Sequence, residues 1–316
     1  MTEVSIVIPT RDRWSLLERT VRSVLSQADI TVDVIVVDDG SVSAPPYSPT
    51  LQDPRVRLIR HPQVRGTAAA RNTGVEAAGG EWLAWLDDDD LWAPRKLARQ
   101  LACVPTADTA LAYAGVLVVN DDLRPIGTWP APSPVGLAEA LVADVQMPAG
   151  SSNVLARRAA VIACGGFDTS LDHLADWDMW LRLAREGPAV SCDELLVAYV
   201  VHGANRHLGA DGLMDEFDRV QRKHAAWAQS VGADFDRARF SQYPIRLLTD
   251  SGRRREALAL AADCLVRRPI GGNLRIAAGG LAGPRALRAY RRITRRSAVP
   301  ATAPAWLADI RRSGTD

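Results

Sequence analysis

Lysine occurs only twice in this 316-residue chain, at Lys96 and Lys223, and cysteine at four scattered positions, Cys103, Cys164, Cys192 and Cys264. No pair of cysteines has CxxC spacing, so neither a zinc site nor a disulfide framework is indicated, and a reducing cytoplasm fits best. No apolar run approaches the roughly 18 residues needed to span a bilayer, so any membrane contact is expected to be peripheral. The opening MTEVSIVIPT lacks the basic start and long apolar core of a signal peptide. There is no GxGxxG, no P-loop and no GxSxG, which argues against lysine-cradled triphosphate chemistry and a serine triad. No internal repeat is evident, and no nucleic-acid partner is expected.

Hydrophobic residues make up 47% of the chain, enough to bury a full core. Net charge is only +1, yet fourteen arginines lie between Arg253 and Asp316 against Glu256, Asp263, Asp309 and Asp316. The preceding residues are therefore net acidic, and the two parts are electrostatically distinct. We expect a domain over 1–235, with halves 1–105 and 106–235, and a helical arginine-rich region over 236–316. Arginines 285, 288, 291, 292, 295 and 296 interleave with Leu287, Tyr290 and Ile293, a basic amphipathic spacing. Such a segment can lie on the anionic inner face of a membrane or pack on the acidic domain.

The first half alternates period. VSIVI (4–8), VDVIVV (32–37), RVRLIR (55–60) and EWLAWL (81–86) read as strands. Residues 14–27 and 68–78 carry helical spacing. This alternation predicts an α/β architecture, a mostly parallel sheet of Rossmann type flanked by helices. Further on, 110–119 reads as a strand, 156–164 and 175–187 as helices, and 189–202 as ending in a strand. Ligands on such sheets sit beyond the carboxyl ends of the strands. That rule selects Thr10, Arg11 and Asp12; Asp38, Asp39, Gly40 and Ser41; and Asp87, Asp88, Asp89 and Asp90.

Four adjacent carboxylates repel one another, and Mg²⁺ or Mn²⁺ is the natural neutralising partner, shared with substrate phosphates. The alternative is a solvated acidic turn. Asp38 or Asp39 can accept from a base or ribose, or close an Asx turn. Arg65 and Arg71 flank a small-residue stretch that opens a helix, where free N–H groups favour phosphate; an exposed helix face is the other reading. Most of the nine tryptophans belong in the core, and Trp177 is the best candidate for stacking on a sugar.

Taken together, SIVIPTRDR, VIVVDDGS, RGTAAARNTGVEAAGGEWLAWLDDDDLW, GGFD and ADWDMWLRLA resemble successive motifs of the family 2 glycosyltransferases, in family order over about residues 4–202. The resemblance implies a GT-A fold, a nucleoside-diphosphate sugar donor (UDP-, GDP- or TDP-linked), a divalent ion and inversion at the anomeric carbon. The acceptor hydroxyl would belong to a glycan, a lipid-linked sugar or a small molecule. By similarity, Pro9, Thr10, Arg11 and Asp39 would surround base and ribose, with Arg71 near base or phosphate. Asp87 and Asp89 match the Asp-x-Asp carboxylates, Asp89 being the expected metal ligand, although a four-residue run also allows Asp88 or Asp90. His202 stands where related enzymes bring a polar group to metal or diphosphate. Asp176 matches the catalytic base; the family's acidic pair is here Ala175-Asp176, and Asp178 is expected to cap or to pair with Arg182. Asparagine is usual where Asp12 stands. Two other classes stay open: a binding protein on a degenerate scaffold, and a sugar nucleotidyltransferase.

Overall fold

The computed structural model describes residues 3–144, 147–202, 210–267 and 304–313. Contacts divide them into two compact units. One is drawn from 1–137, 147–202 and 298–316, the other from 138–146 and 203–297.

The first unit is built on one nine-stranded sheet among the described residues. Its strands are β1 (Glu3–Thr10), β2 (Thr31–Asp38), β3 (Val56–Arg60), β4 (Trp82–Trp85), β5 (Leu91–Trp92), β6 (Leu111–Asn120), β7 (Pro125–Trp129), β8 (Leu155–Arg157) and β9 (Ala189–Val201). They run in the order β3-β2-β1-β4-β8-β6-β9-β5, with β7 beside β6. The first four strands pair in parallel. From β8 onward the sheet is mixed: β8 is antiparallel to both β4 and β6, and β6 is parallel to β9. The expectation of a mostly parallel sheet therefore describes the first half alone. The second half switches direction because β8 enters between β4 and β6.

Parallel strands covered on both faces read as continuous apolar runs, and Val34 through Val37 are fully enclosed. Helix α1 (Trp14–Leu25) presents Leu17, Val21 and Val24 to this core at helical spacing. Helix α2 (Thr67–Ala77) sits so close to β1 that a Cβ on Gly74 would lie 2.2 Å from Val7 Cγ1. Its small residues thus serve helix–sheet packing. Helix α3 (Lys96–Ala102), helix α4 (Leu137–Ala143), a 3₁₀ turn (Gly150–Asn153), α5 (Arg158–Ala163) and α6 (Ala175–Glu186) follow in the chain. The stretch 156–164, expected to be helical throughout, opens as β8 and becomes helical only at Arg158.

In the second unit, α7 (Leu213–Ser230), α8 (Arg237–Asp250) and α9 (Arg254–Arg267) pack on their apolar faces. Phe217 stacks on Phe240 at 4.7 Å and meets Phe235 edge-on, and Asp218 pairs with Arg237. The expected boundary at 235/236 falls inside this unit, because Phe235 and Phe240 share Phe217 as partner. Arginines 285–296 lie outside the described residues. The last helix, α10 (Ala305–Ser313), belongs to the first unit, where Leu307, Trp306 and Ile310 pack with Leu117, Val119 and Val200.

Lys96 is fully enclosed, its Nζ 3.8 Å from the centre of the Trp92 ring and without a hydrogen-bond partner. Burial pushes this ammonium well below its ordinary range. Between the lowered value and about 10.4 the unfolded chain holds one more proton, so the lysine's contribution to stability rises with pH. Lys96→Met is therefore expected to stabilise the fold by about 1–3 kcal/mol near neutral pH, the cost of burying an unpaired polar group. Melting curves check this: the gain should shrink as pH is raised from 7 toward 10.

Candidate active site

The parallel strands end together, and the loops beyond them are tied by their own polar side chains. Thr10, the last residue of β1, donates its hydroxyl to Asp88 Oδ2 at 2.7 Å. Asp12 lies in the left-handed region, at φ 56°, which aspartate and asparagine tolerate better than most residues. That conformation lets its N–H reach Ser41 Oγ at 2.8 Å and its carboxylate accept from Val42 N–H at 2.8 Å. Aspartate thus fills the usual asparagine position without loss of the turn. Pro9 is buried in register with Val37, while Arg11 stays half-exposed beside Asp12.

Asp38 and Asp39 shape the second loop. Asp38 is enclosed, accepts from Ser41 N–H at 2.9 Å and pairs with Arg60 at 3.1 Å. Gly40 takes φ 72°, and a Cβ there would lie 2.8 Å from the backbone of Gln63 and Val64. Asp39 accepts the N–H groups of Arg65 (2.8 Å) and Gly66 (2.9 Å) and contacts His61 Nδ1 at 2.9 Å. Burial alone would raise its pKa, but these partners together hold it below the ordinary value. Asp39 therefore anchors the loop that leads into α2. The exposed Arg65 side chain follows that anchor. Gly66 precedes α2 with no side-chain cap, and the first turn of the helix carries no acid.

The acidic run resolves into four different environments. Asp87, 40% exposed at its side chain, pairs with Arg71 at 2.8 Å and donates its N–H to Ser152 Oγ. Asp88 is held by Thr10 and by Arg13 at 3.2 Å; burial, then the neighbouring Asp89, push it up to about 6. Asp89 lies 2.9 Å from Arg13 and 3.0 Å from His202 Nε2, and burial and Asp87 raise its pKa. Asp90 is enclosed and accepts Val200 N–H at 3.0 Å, so it fastens β9 and faces no solvent. Exposure separates the four: Asp87 is half-exposed, Asp88 and Asp89 are nearly enclosed, and Asp90 is fully enclosed. Arg13 was not singled out from the sequence. A second arginine in the strand-end motif TRDR was the available signal.

On the far side, Asp176 occupies the first turn of α6 and accepts Trp177 N–H at 2.8 Å. It is not the helix cap; that position is Leu174, without a side-chain bond. Burial raises the Asp176 pKa and Arg71 opposes the rise. Trp177 is only 1% exposed, so the proposed sugar-stacking role does not hold. Its ring belongs to the apolar face of α6 with Met179, Trp180, Leu181 and Leu183. Asp178 is buried and binds Arg182 at 2.6 Å, one turn on, as expected. Asn72 clamps Phe167 through its N–H (2.7 Å) and C=O (2.8 Å), and Arg71 lies over the same ring. The GGFD segment thus holds the arginine that stands among Asp87 and Asp176.

The comparisons with known proteins point to a glycosyltransferase. Residues 5–144 match the family described as glycosyl transferase family 2. Over those residues the chain is similar to the family 2 glycosyltransferases. It is 38% identical over 123 residues to the succinoglycan biosynthesis protein ExoO of Rhizobium meliloti, covering 39% of this chain and 35% of that one. The match thus spans about a third of ExoO. Among solved structures, S. aureus TarS 1–349 with UDP-GlcNAc superposes with a TM-score of 0.59 at 16% identity, over 92% of this chain and 83% of that one. The mannosyltransferase PcManGT of Pyrobaculum calidifontis, with GDP-Man and Mn²⁺, gives 0.52 at 17% identity over 98% and 79%. At these identities the structures establish the GT-A type of fold alone. Among the described residues, no helix is long and apolar enough to cross a membrane.

Proposed function

We propose that this glycosyltransferase moves a sugar from a nucleoside diphosphate to an acceptor hydroxyl in a single inverting displacement assisted by Mg²⁺ or Mn²⁺. The observation that carries the reading is the placement of Asp176, a carboxylate raised by burial, near the same arginine that pairs with Asp87. Asp176 takes the acceptor proton as the hydroxyl oxygen forms its bond to the anomeric carbon. The bond from that carbon to the diphosphate breaks, the nucleoside diphosphate leaves with the electron pair, and attack from the opposite face inverts the centre. Arg71 favours the charged form of Asp176 before transfer.

Among the described residues, no group of three or more acidic, histidine or cysteine side chains converges as a complete metal cage. A partial site fits Mg²⁺ or Mn²⁺ well, since such ions are commonly held by one or two carboxylates plus substrate phosphates and water. Asp89 would hold the ion, with Asp87 or His202 as a second ligand, and three buried carboxylates with raised pKa values mark a local excess of negative charge. When bound, the ion supplies neutralisation of the diphosphate leaving group. Thr10 and Arg11 at the end of β1, with Arg65 just before α2, support binding of the nucleotide part. TarS with UDP-GlcNAc and PcManGT with GDP-Man support a UDP- or GDP-linked donor. A cytoplasmic site and peripheral membrane contact through residues 285–296 belong to the same proposal, supported by the arginine spacing.

A nucleotidyltransferase would need a cation against a triphosphate, and Lys96 is enclosed and unavailable for that work. Incubation with UDP-, GDP- and TDP-sugars and Mn²⁺ tests the reading. Slow release of a nucleoside diphosphate is the expected result; pyrophosphate release or binding without turnover overturns it.

A further inference from the structure

We infer that Gly150, through the buried turn it opens, is a positioning residue that sets Asp176 in register with the acidic run; this rests on Asp176 acting as the base. Ala149 and Gly150 both lie in the left-handed region, at φ 54° and 46°. That pair of conformations turns the chain sharply into the 3₁₀ segment Gly150–Asn153. A Cβ on Gly150 would stand 2.5 Å from Asp176 Oδ2, so the absent side chain is the space that the carboxylate occupies. Two residues on, Ser152 Oγ accepts the N–H of Asp87 at 3.1 Å. One short turn therefore touches both the base and the backbone of the strand end expected to hold the leaving group.

The turn is immobilised from beneath. Asn153 binds both the N–H and the C=O of Ala114 on β6, at 2.9 and 2.7 Å. Its own carbonyl accepts from Gln100 of α3 at 2.9 Å, and the Ser152 carbonyl accepts from Trp92 Nε1 at 2.7 Å. Ser151, Ser152 and Asn153 are almost wholly enclosed. A segment enclosed and tied at both Ser152 and Asn153 resists sliding away to admit a methyl group, so the displacement falls on Asp176. Misplacement of a base by an ångström costs rate and leaves donor binding intact.

The test compares Gly150→Ala with wild type, with Gly150→Asn as the second variant because asparagine tolerates the left-handed region. In either folded variant we expect kcat to fall at least tenfold, the donor dissociation constant to stay within twofold, and the acid limb of the pH–rate profile to move. In an Asp176→Asn background the same substitution should cause no further loss. Near-normal kcat in folded Gly150→Ala or Gly150→Asn beside an impaired Asp176→Asn overturns the positioning role alone. An equal additional loss in the Asp176→Asn background also overturns it, since the turn would then act by another route. Normal turnover in Asp176→Asn overturns the base reading itself, and this inference with it.

Discussion

Asp176→Asn is expected to lower turnover by about 10² to 10⁴, the usual worth of a positioned general base, while the donor dissociation constant stays near that of wild type. The substitution keeps the shape of the side chain and an oxygen for Trp177 N–H, which now donates at 2.8 Å. It removes only the capacity to take a proton. Stability gives an independent check. A carboxyl whose folded pKa is raised, as burial raises this one, favours the folded state while protonated. That contribution is lost as pH rises from the ordinary carboxylate range through the raised value. Asn cannot ionise, so the variant should melt at or above the wild-type temperature at neutral pH. A helix-capping aspartate would behave oppositely, at a cost of about 0.5–2 kcal/mol on removal, but Leu174 holds that position. The pH dependence of kcat adds a third reading. The base must be ionised, so the wild-type rate should fall with acid at a pH above the ordinary carboxylate value. The variant's residual rate should lack that limb. Near-normal turnover would send the search to Asp178 and Asp168, of which Asp178 is committed to Arg182 and Asp168 to Ser170.

What could be read from the residues followed from local periodicity. β1, α1, β2, β3, α2 and β4 each carry their own burial pattern, so switches between two-residue and helical spacing locate them. β5 is two residues long, β8 three, and the 3₁₀ turn four, too short to hold a period. Their geometry comes from distant partners: β8 exists because β4 and β6 flank it, and the turn because Asn153 binds β6. The same limit explains the site. Asp38, Asp39 and the acidic run stand at strand ends and are visible as clusters. Which carboxylate stays exposed depends on contacts far along the chain, Asp90 with Val200 and Asp89 with His202. The anchoring role of Asp39 was not legible because its partners, the N–H groups of residues 65 and 66, leave no mark in composition. Trp177 looked available because a helix that buries two tryptophans on one broad face has the same spacing as one that shows one of them.

Asp89→Ala should abolish transfer, by more than 10²-fold, and removal of divalent ions by a chelator should do the same to the wild type. The four carboxylates are not interchangeable. Asp90 binds Val200, Asp88 binds Thr10 and Asp87 pairs with Arg71, while Arg13 is shared by Asp88 and Asp89. Asp89 alone combines a histidine at 3.0 Å with a place beside the half-exposed Asp87. Loss of its charge removes the principal oxygen ligand for an ion that neutralises the leaving diphosphate, an effect worth several kcal/mol at the transition state. The fold should survive, because Arg13 retains Asp88 as a partner and one of several mutually repelling buried carboxylates is gone. Melting temperature should therefore change by only a few degrees. Nucleotide titration separates a metal ligand from a merely structural acid: Mn²⁺ should tighten UDP or GDP binding to the wild type and have little effect on Asp89→Ala. Full activity of the wild type in chelator would remove the metal from the mechanism. Full activity of Asp89→Ala with metal dependence intact would instead move the ligand to Asp87, the half-exposed carboxylate of the run.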